Sequence, residues 1–187
     1  ASKKIRVVAD ECFLRFHPHY EKMSCKRFLK QYPNLLIVNA FTKFYAMAGL
    51  RLGYLMTGDL SLLHAVAQQL PEWNVSSIAQ RAGISALQDT EYEKRTRQLI
   101  EKERRYLIQE FLKMGCTVFP SEADYITFRL PQEKTGFLLK ERLLEGKILI
   151  RSCANYRNMP PDCYRIAVKQ HADNEELVRQ VWRILKQ

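Results

Sequence analysis

The segment of residues 39–54, N-A-F-T-K-F-Y-A-M-A-G-L-R-L-G-Y, sets one lysine among mostly apolar residues and contains no acidic residue. An ammonium group in such a setting is poorly hydrated, which favours the neutral amine of Lys43, a nucleophile toward aldehydes. Thr42 adds a hydroxyl, and Arg51 adds a guanidinium suited to two-point binding of phosphate. The two glycines permit a tight turn close to a ligand. These residues indicate a site for a phosphate-bearing aldehyde held on lysine, and they leave open a surface lysine beside a turn.

Strands and helices alternate over residues 1–90. Short apolar runs predict buried strands, the first of which ends abruptly at Asp10. Helical patterns follow, one of them opened by Asp59 as a side-chain cap. The predicted strands are 5–9, 35–38 and 52–56, and the predicted helices are 21–31, 59–70 and 76–89. This alternation predicts an α/β fold with parallel strands covered by helices.

A long charged helix, 91–114, follows the first region. Thr90 and Glu93 have the spacing of a capping box at its start, and Gly115 is a natural end. Beyond it we expect a compact α+β domain over 115–187, whose last helix opens with Asp173 and Glu176 as a second box. Its predicted elements are strands 116–119, 125–130, 147–151 and 164–168 and helices 134–145 and 173–185. The predicted organisation is a first domain at 1–90, a linking helix at 91–114 and a small domain at 115–187.

Composition narrows the classes of function. The net charge is +10, but acidic residues interleave with the densest basic stretch, 94–105, as on a solvated helix face. This pattern argues against nucleic acid as a partner, but charge alone does not choose between nucleic acid and a site for anionic small molecules. Apolar runs are too short for a membrane span, and the five scattered cysteines predict reduced thiols in a cytoplasmic protein. We expect no metal site, because His17 and His19 lack a third ligand at suitable spacing.

The pattern T-K-x-x-x-x-x-G-L-R-x-G-Y resembles the lysine motif of class I/II aminotransferases, which are fold type I pyridoxal-phosphate enzymes. It is most similar to the branch of histidinol-phosphate aminotransferase and threonine-phosphate decarboxylase. Two more matches lie in the order of that family: V-V-A-D-E-C-F at 7–13 near the start, and Ile150-Arg151 followed by Y-R-I-A-V at 164–168 near the end. The resemblance covers nearly the whole chain and corresponds to the C-terminal half of the family's fold. It implies part of the large domain, a long helix and the small domain.

The resemblance also implies residue roles. Lys43 would bind the cofactor covalently and exchange protons with the substrate, and Asp10 would pair with the ring nitrogen of pyridoxal 5'-phosphate. Phe13 would lie beside the cofactor, and Thr42 and Arg51 would bind its phosphate. In the C-terminal domain Arg165 would bind the substrate carboxylate, and Arg151 is a candidate for a substrate phosphate.

The sequence departs from the family pattern at several positions, and these departures leave alternative functions open. Phe13 replaces a common tyrosine, Ala40 a Ser or Thr, Asp124 an Asn, and Asn158 a Gly. The family's glycine-containing phosphate loop, ring-stacking aromatic and N-P-x-N-P-[TS]-G segment do not occur, so we expect a truncated chain with little turnover alone. The expected activity is transamination of an amino acid or phosphorylated amino acid, in a homodimer when intact. The alternatives are a decarboxylase of the threonine-phosphate type and a non-enzymatic, basic binding fragment.

Overall fold

The computed structural model describes residues 5–134 and 138–186 of the chain. It divides the chain into two compact units, Ala1–Thr96 and Arg97–Gln187, with the boundary inside the longest helix. Within the described residues, no helix has both the length and the apolar character needed to cross a membrane.

The first unit is an α/β arrangement. Its elements in chain order are β1 (Val7–Asp10), α1 (Tyr20–Met23), β2 (Leu35–Ala40), β3 (Gly53–Thr57), α2 (Leu60–Ala67), α3 (Ser77–Gln88) and the start of α4 (Thr90–Lys113). The three strands form one sheet in the order β1-β2-β3. The central strand contributes most to the core, where Leu35, Leu36 and Ile37 are buried.

The sheet is only partly parallel. β2 runs parallel to β1, as predicted, but β3 runs antiparallel to β2, with Ala40 opposite Gly53. The sequence predicted a mostly parallel sheet, and β3 is the strand that runs the other way. A parallel return needs a crossover, normally a helix, whereas residues 41–52 contain only the short 3-10 turn Ala48–Leu50. The chain consequently returns from the same edge of the sheet at which β2 ended.

The helix predicted at 21–31 is broken into α1 and a 3-10 turn, Cys25–Phe28. The break surrounds Glu11, which is only 6% exposed. Its carboxylate accepts hydrogen bonds from the Ser24 hydroxyl (2.9 Å) and the Cys25 N–H (2.7 Å). A buried carboxylate needs such donors, and supplying them interrupts the helix.

The second unit is α+β. After α4 it contains β4 (Thr117–Phe119), β5 (Tyr125–Arg129), α5 (Leu139–Glu145), β6 (Arg151–Ser152), β7 (Cys163–Ala167) and α6 (His171–Leu185). The four strands pair antiparallel in the order β4-β5-β7-β6. The strand predicted at 147–151 is reduced to Arg151–Ser152. The helix predicted at 134–145 begins at Leu139, and residues 135–137 of it lie outside the described residues.

Both ends of α4 lie within one residue of the prediction, but the predicted capping box at its start is wrong. Gly115 has φ +80°, the left-handed conformation that glycine tolerates, and its N–H donates to the Leu112 carbonyl (3.0 Å). At the other end Asp89, not Thr90, caps the helix, accepting from the Tyr92 N–H (2.8 Å). The Glu93 carboxylate, which the box would turn back to the helix start, binds other side chains instead.

The second predicted box is also wrong. α6 begins before Asp173, and the Asn174 side chain closes its start by accepting from the Lys169 N–H (3.0 Å) and donating to the Lys169 carbonyl (2.8 Å). Glu176 binds Arg179 and Gln180 on the exposed face. The box fails because α6 already begins at His171, with Gln170 at the N-cap position, so Asp173 lies inside the first turn.

Candidate functional site

The ends of three strands meet at one edge of the first unit's sheet. Asp10 is the last residue of β1, Lys43 follows β2, and Arg51 precedes β3. Because β1 and β2 are parallel and β3 is antiparallel to β2, these three positions share that edge. This edge, where α/β sheets place their ligands, brings together three of the residues that the sequence selected.

Lys43 is accessible, while its neighbours anchor the backbone. Phe41 and Phe44 are 6% and 2% exposed, whereas Lys43 is exposed. Its Nζ lies 5.6 Å from the centroid of the Phe13 ring, within range of a cation–π interaction. The expectation of a poorly hydrated lysine is therefore wrong for this structure, because the aromatic neighbours pack inward and leave the amine in solvent. An exposed amine in a fixed loop remains open to an aldehyde.

Asp10 is held as an anion beside Cys12. Its Oδ1 accepts from the Cys12 N–H (2.9 Å), and hydrogen bonds from the Cys12 thiol and backbone lower the pKa of Asp10 below its usual value. Burial raises the pKa of the Cys12 thiol to about 11, with a further contribution from Asp10, while the positive charge of Lys43 opposes the shift. Cys12 is therefore a neutral thiol at pH 7 that senses the charges of both Asp10 and Lys43.

Arg51 adopts a left-handed conformation at φ +53°, directly after the Ala48–Leu50 turn. Its Nη1 donates to the Ala48 carbonyl (3.2 Å), and the side chain is otherwise exposed, so the guanidinium is accessible to an anion. Thr42 is half-buried beside Lys43. Sequence reasoning selected both residues, but the conformation of Arg51 has no signal in the residue pattern.

A cluster that the sequence did not reveal lies behind Lys43. The Tyr45 hydroxyl donates to Oε1 of Glu93 (2.6 Å), and Arg15 donates to both groups. Tyr45 also stacks on Phe41 and Tyr92, at ring-centroid distances of 5.1 and 6.0 Å. Burial is the main cause that raises the pKa of the Tyr45 hydroxyl, so it stays protonated and available as a donor. The alternating charges near Glu93 had indicated only a solvated face, and no spacing pointed to this cluster.

The groups at this edge fit a phosphorylated pyridine aldehyde. A carboxylate held as an anion suits a protonated ring nitrogen, an accessible amine suits an aldehyde, and a hydroxyl with a guanidinium suits a phosphate. A metal site has no comparable basis in the described part of the chain, where no three His, Cys, Asp or Glu side chains are grouped to hold an ion.

Arg151 and Arg165 lie in the second unit, where they are register partners on β6 and β7. Arg165 has its Cζ 4.8 Å from the Tyr125 ring centroid, and Arg151 has its Cζ 5.6 Å from that of Tyr156. Arg151 also donates to the Asn155 side chain (3.3 Å). Like charges directly opposite on a sheet repel, so this pair favours an anionic ligand beside it.

Comparison with known proteins gives matches over nearly the whole chain. The family model "Aminotransferase class I and II" matches residues 1–181. The chain is 35% identical over 185 residues to the threonine-phosphate decarboxylase of Salmonella typhimurium, covering 98% of this chain and 50% of that protein. It is 32% identical over 182 residues to the histidinol-phosphate aminotransferase of Oleidesulfovibrio alaskensis, covering 96% and 47%. The chain thus spans about half the length of the curated relatives it matches.

Solved structures agree. The histidinol-phosphate aminotransferase from Clostridium acetobutylicum superposes with a TM-score of 0.92 at 31% identity, over 100% of this chain and 56% of that one. The histidinol-phosphate aminotransferase from Sinorhizobium meliloti, solved in complex with pyridoxal-5'-phosphate, has a TM-score of 0.88 over 98% of this chain and 50% of that one. At 22% identity this second likeness supports the fold alone.

Proposed function

The chain belongs to the family of class I and II aminotransferases, as its lysine segment predicted, and its fold is part of the fold type I architecture; from this premise we propose that it holds pyridoxal 5'-phosphate on Lys43. The whole protein would then transfer the amino group of an amino acid or phosphorylated amino acid. The observation that carries this proposal is the meeting of Asp10, Lys43 and Arg51 at one sheet edge.

Each group has a definite task in this proposal. The cofactor, when bound, supplies a ring that withdraws electrons from the substrate α-carbon. The Lys43 amine would hold the cofactor through its aldehyde and would accept the proton of the substrate α-carbon and donate it again. Asp10, whose pKa is lowered, remains an anion and keeps a proton on the ring nitrogen. Thr42 and Arg51 bind the phosphate and hold the ring in place, and Phe13 lies beside Lys43.

The arginine pair supports the proposed substrate class. Arg165 would bind the α-carboxylate through two parallel hydrogen bonds, a geometry that its planar guanidinium favours. Arg151, its register partner, would bind a second anionic group such as a phosphate. A substrate with two anionic groups would compensate the repulsion between the two guanidinium groups.

Decarboxylation is the second candidate reaction. Two observations favour it. The aromatic residue beside Lys43 is Phe13, which lacks the hydroxyl of the family's common tyrosine. A relative at 35% identity is a threonine-phosphate decarboxylase. Both reactions use Lys43 and Asp10, and they differ in which substrate bond faces the ring. The same residue assignments therefore apply to both reactions, and only the product differs.

The products separate the two reactions. A protein containing this chain, loaded with cofactor, would be given phosphothreonine and, separately, glutamate, and carbon dioxide and carbonyl product would be measured. A carbonyl product with conversion of the cofactor to its amine form would support transamination, and carbon dioxide from phosphothreonine would support the lyase. Lys43→Ala should abolish either product. Turnover that survives this change would contradict the proposal.

The proposal extends to the oligomeric state and the cellular location of the whole protein. We expect a cytoplasmic homodimer of the whole protein, with a small-molecule substrate. A basic binding fragment is the non-enzymatic alternative, but several surface cations are already paired, such as Arg105 with Glu101 and Arg179 with Glu176. DNA binding that falls steeply with added salt would favour that alternative.

A further inference from the structure

We propose that Arg15, Tyr45 and Glu93, here called the brace, fix the backbone that presents Lys43, which makes Tyr45 and Glu93 positioning residues for cofactor attachment. This inference rests on the proposed function of Lys43. The three residues come from three separate parts of the first unit: the segment after β1, the segment after β2, and the first turn of α4.

The brace is a set of mutual polar contacts. The Tyr45 hydroxyl donates to Glu93 Oε1 (2.6 Å), and Arg15 Nη1 donates to the same oxygen and to the Tyr45 hydroxyl. The side chains of Arg15 and Glu93 are only 17% and 14% exposed. In so sheltered a setting, removing either charge costs the other group a strong, charge-assisted contact.

Backbone contacts extend the brace to the lysine itself. The Tyr92 hydroxyl, next to Glu93, donates to the Phe44 carbonyl (3.0 Å). The Ala46 N–H donates to the Lys43 carbonyl (3.0 Å), and the Met47 N–H donates to the Phe41 carbonyl (3.2 Å). The carbonyls of Lys43 and Phe44 are thus both held, although the Lys43 side chain lies in solvent.

This arrangement separates anchoring from presentation. Phe44 and Tyr45 are 2% and 8% exposed and pack on the side of the brace. Lys43 is exposed at the sheet edge where we propose that the cofactor binds. Ala46 completes the turn in a left-handed conformation, φ +54°, which is costly without glycine. A turn of this kind persists only where surrounding contacts fix it, and the brace provides those contacts.

The experiment uses Tyr45→Phe, which removes only a hydroxyl, and Glu93→Ala, which removes the shared acceptor. Glu91→Ala is the matched control, because Glu91 lies in the same helical turn and is 66% exposed. Hydrogen exchange of the Ala46 and Met47 amides is measured in the cofactor-free chain, together with the urea midpoint. Pyridoxal phosphate is then titrated, and borohydride trapping on Lys43 is quantified by peptide mass mapping.

We expect exchange at both amides to rise about 5–30-fold in Tyr45→Phe and Glu93→Ala and to stay unchanged in Glu91→Ala. The dissociation constant of pyridoxal phosphate should rise at least about 5-fold in the same two variants. The exchanged pair Arg15→Glu with Glu93→Arg should recover part of both losses, since Tyr45 can donate to the relocated carboxylate. A rise in exchange larger than the change in the urea midpoint accounts for distinguishes positioning from a general loss of stability.

Two results would overturn the inference separately. Unchanged exchange at Ala46 and Met47 would show that the brace does not hold the turn. Faster exchange with undiminished trapping on Lys43 would show that the brace does not position the amine. If the wild-type chain traps no cofactor on Lys43, the proposed function fails and the positioning role with it, while the exchange data still report whether the brace holds the turn.

Discussion

The Lys43 ammonium lies 5.6 Å from the centroid of the Phe13 ring, so the two segments that follow β1 and β2 meet face to face at the sheet edge. This contact orders the amine without burying it. It also places the Phe13 ring in the region where we propose that the cofactor binds.

Phe13→Tyr should strengthen cofactor binding. The family resemblance implies a tyrosine here that hydrogen-bonds the cofactor's ring oxygen, and one such bond contributes roughly 0.5–1.5 kcal/mol. We expect the dissociation constant of pyridoxal phosphate to fall by about 2–10-fold, measured by absorbance titration. Phe28→Tyr, at a partly exposed ring in the 3-10 turn Cys25–Phe28, serves as the control and should change nothing. Equal or weaker binding by Phe13→Tyr would place the ring away from the cofactor.

Ala46→Gly should stabilise the chain. Ala46 has φ +54°, where a side chain costs on the order of 1 kcal/mol that glycine avoids. We expect the free energy of unfolding to rise by up to about 1 kcal/mol in urea titrations. The control is Ala48→Gly, in the right-handed 3-10 turn Ala48–Leu50, which should lower it by about 0.5–1 kcal/mol. If Ala46→Gly and Ala48→Gly both raised, or both lowered, the free energy of unfolding, this explanation would be refuted.

Arg165→Lys should weaken substrate binding while sparing cofactor binding. Lysine keeps the charge but loses the planar fork that binds a carboxylate at two points. A loss of about 1.5–3 kcal/mol corresponds to roughly 10–150-fold weaker amino acid binding, followed through the absorbance of the bound cofactor. Arg179→Lys, on the exposed face of α6, is the control. A parallel loss of cofactor affinity would instead assign Arg165 a role in the fold.

Glu103→Gln should remove a pH-dependent part of the stability. Glu103 is 1% exposed and lies 3.0 Å from the His171 Nδ1 and 3.1 Å from the Asn174 Nδ2. Burial alone would raise its pKa, but hydrogen bonds from Asn174 and His171 outweigh burial and lower it. The carboxylate therefore stabilises the fold fully above its unfolded-state pKa, near 4.3, and less as the pH falls through the lower folded-state pKa.

Urea titrations across pH 3–7 measure this contribution. We expect the free energy of unfolding of wild type to exceed that of Glu103→Gln by about 1–3 kcal/mol at pH 6–7. This difference should shrink below about pH 4. Glu101→Gln, on an exposed helix position, is the control and should show a small gap at every pH. If the difference in free energy of unfolding between wild type and Glu103→Gln instead grew in acid, the pKa of Glu103 would be raised on folding, not lowered.

The sequence was most informative where local residue types determine structure. The strand before Asp10, the central strand at 35–38 and the helix end at Gly115 all follow from apolar runs and from glycine's tolerance of positive φ. The predicted burial of the first strand is wrong, however, because Val7 and Val8 are 49% and 61% exposed. The lysine segment was recognised because Lys43, Gly49 and Arg51 keep a fixed spacing. The family and the fold class were accessible for the same reason.

The rest depends on contacts between distant parts of the chain. The direction of β3 depends on a return without a helix, and Glu93 binds Tyr45 across 48 positions of sequence instead of capping its own helix. The exposure of Lys43 follows from where Phe41 and Phe44 pack, not from their being apolar. The left-handed turn falls on Ala46, while Gly49 has open space around it and no positive φ, so glycine positions alone misplace the turn.

The most direct test of the account is whether pyridoxal phosphate attaches to Lys43. The chain would be titrated with cofactor, reduced with borohydride and mapped by peptide mass, beside Lys43→Ala and, as an exposed control in α1, Lys22→Ala. We predict a visible absorbance band and label on Lys43 in wild type and Lys22→Ala, and neither in Lys43→Ala. Label spread evenly over many lysines and unchanged in Lys43→Ala would contradict the assignment of Lys43 as the cofactor lysine.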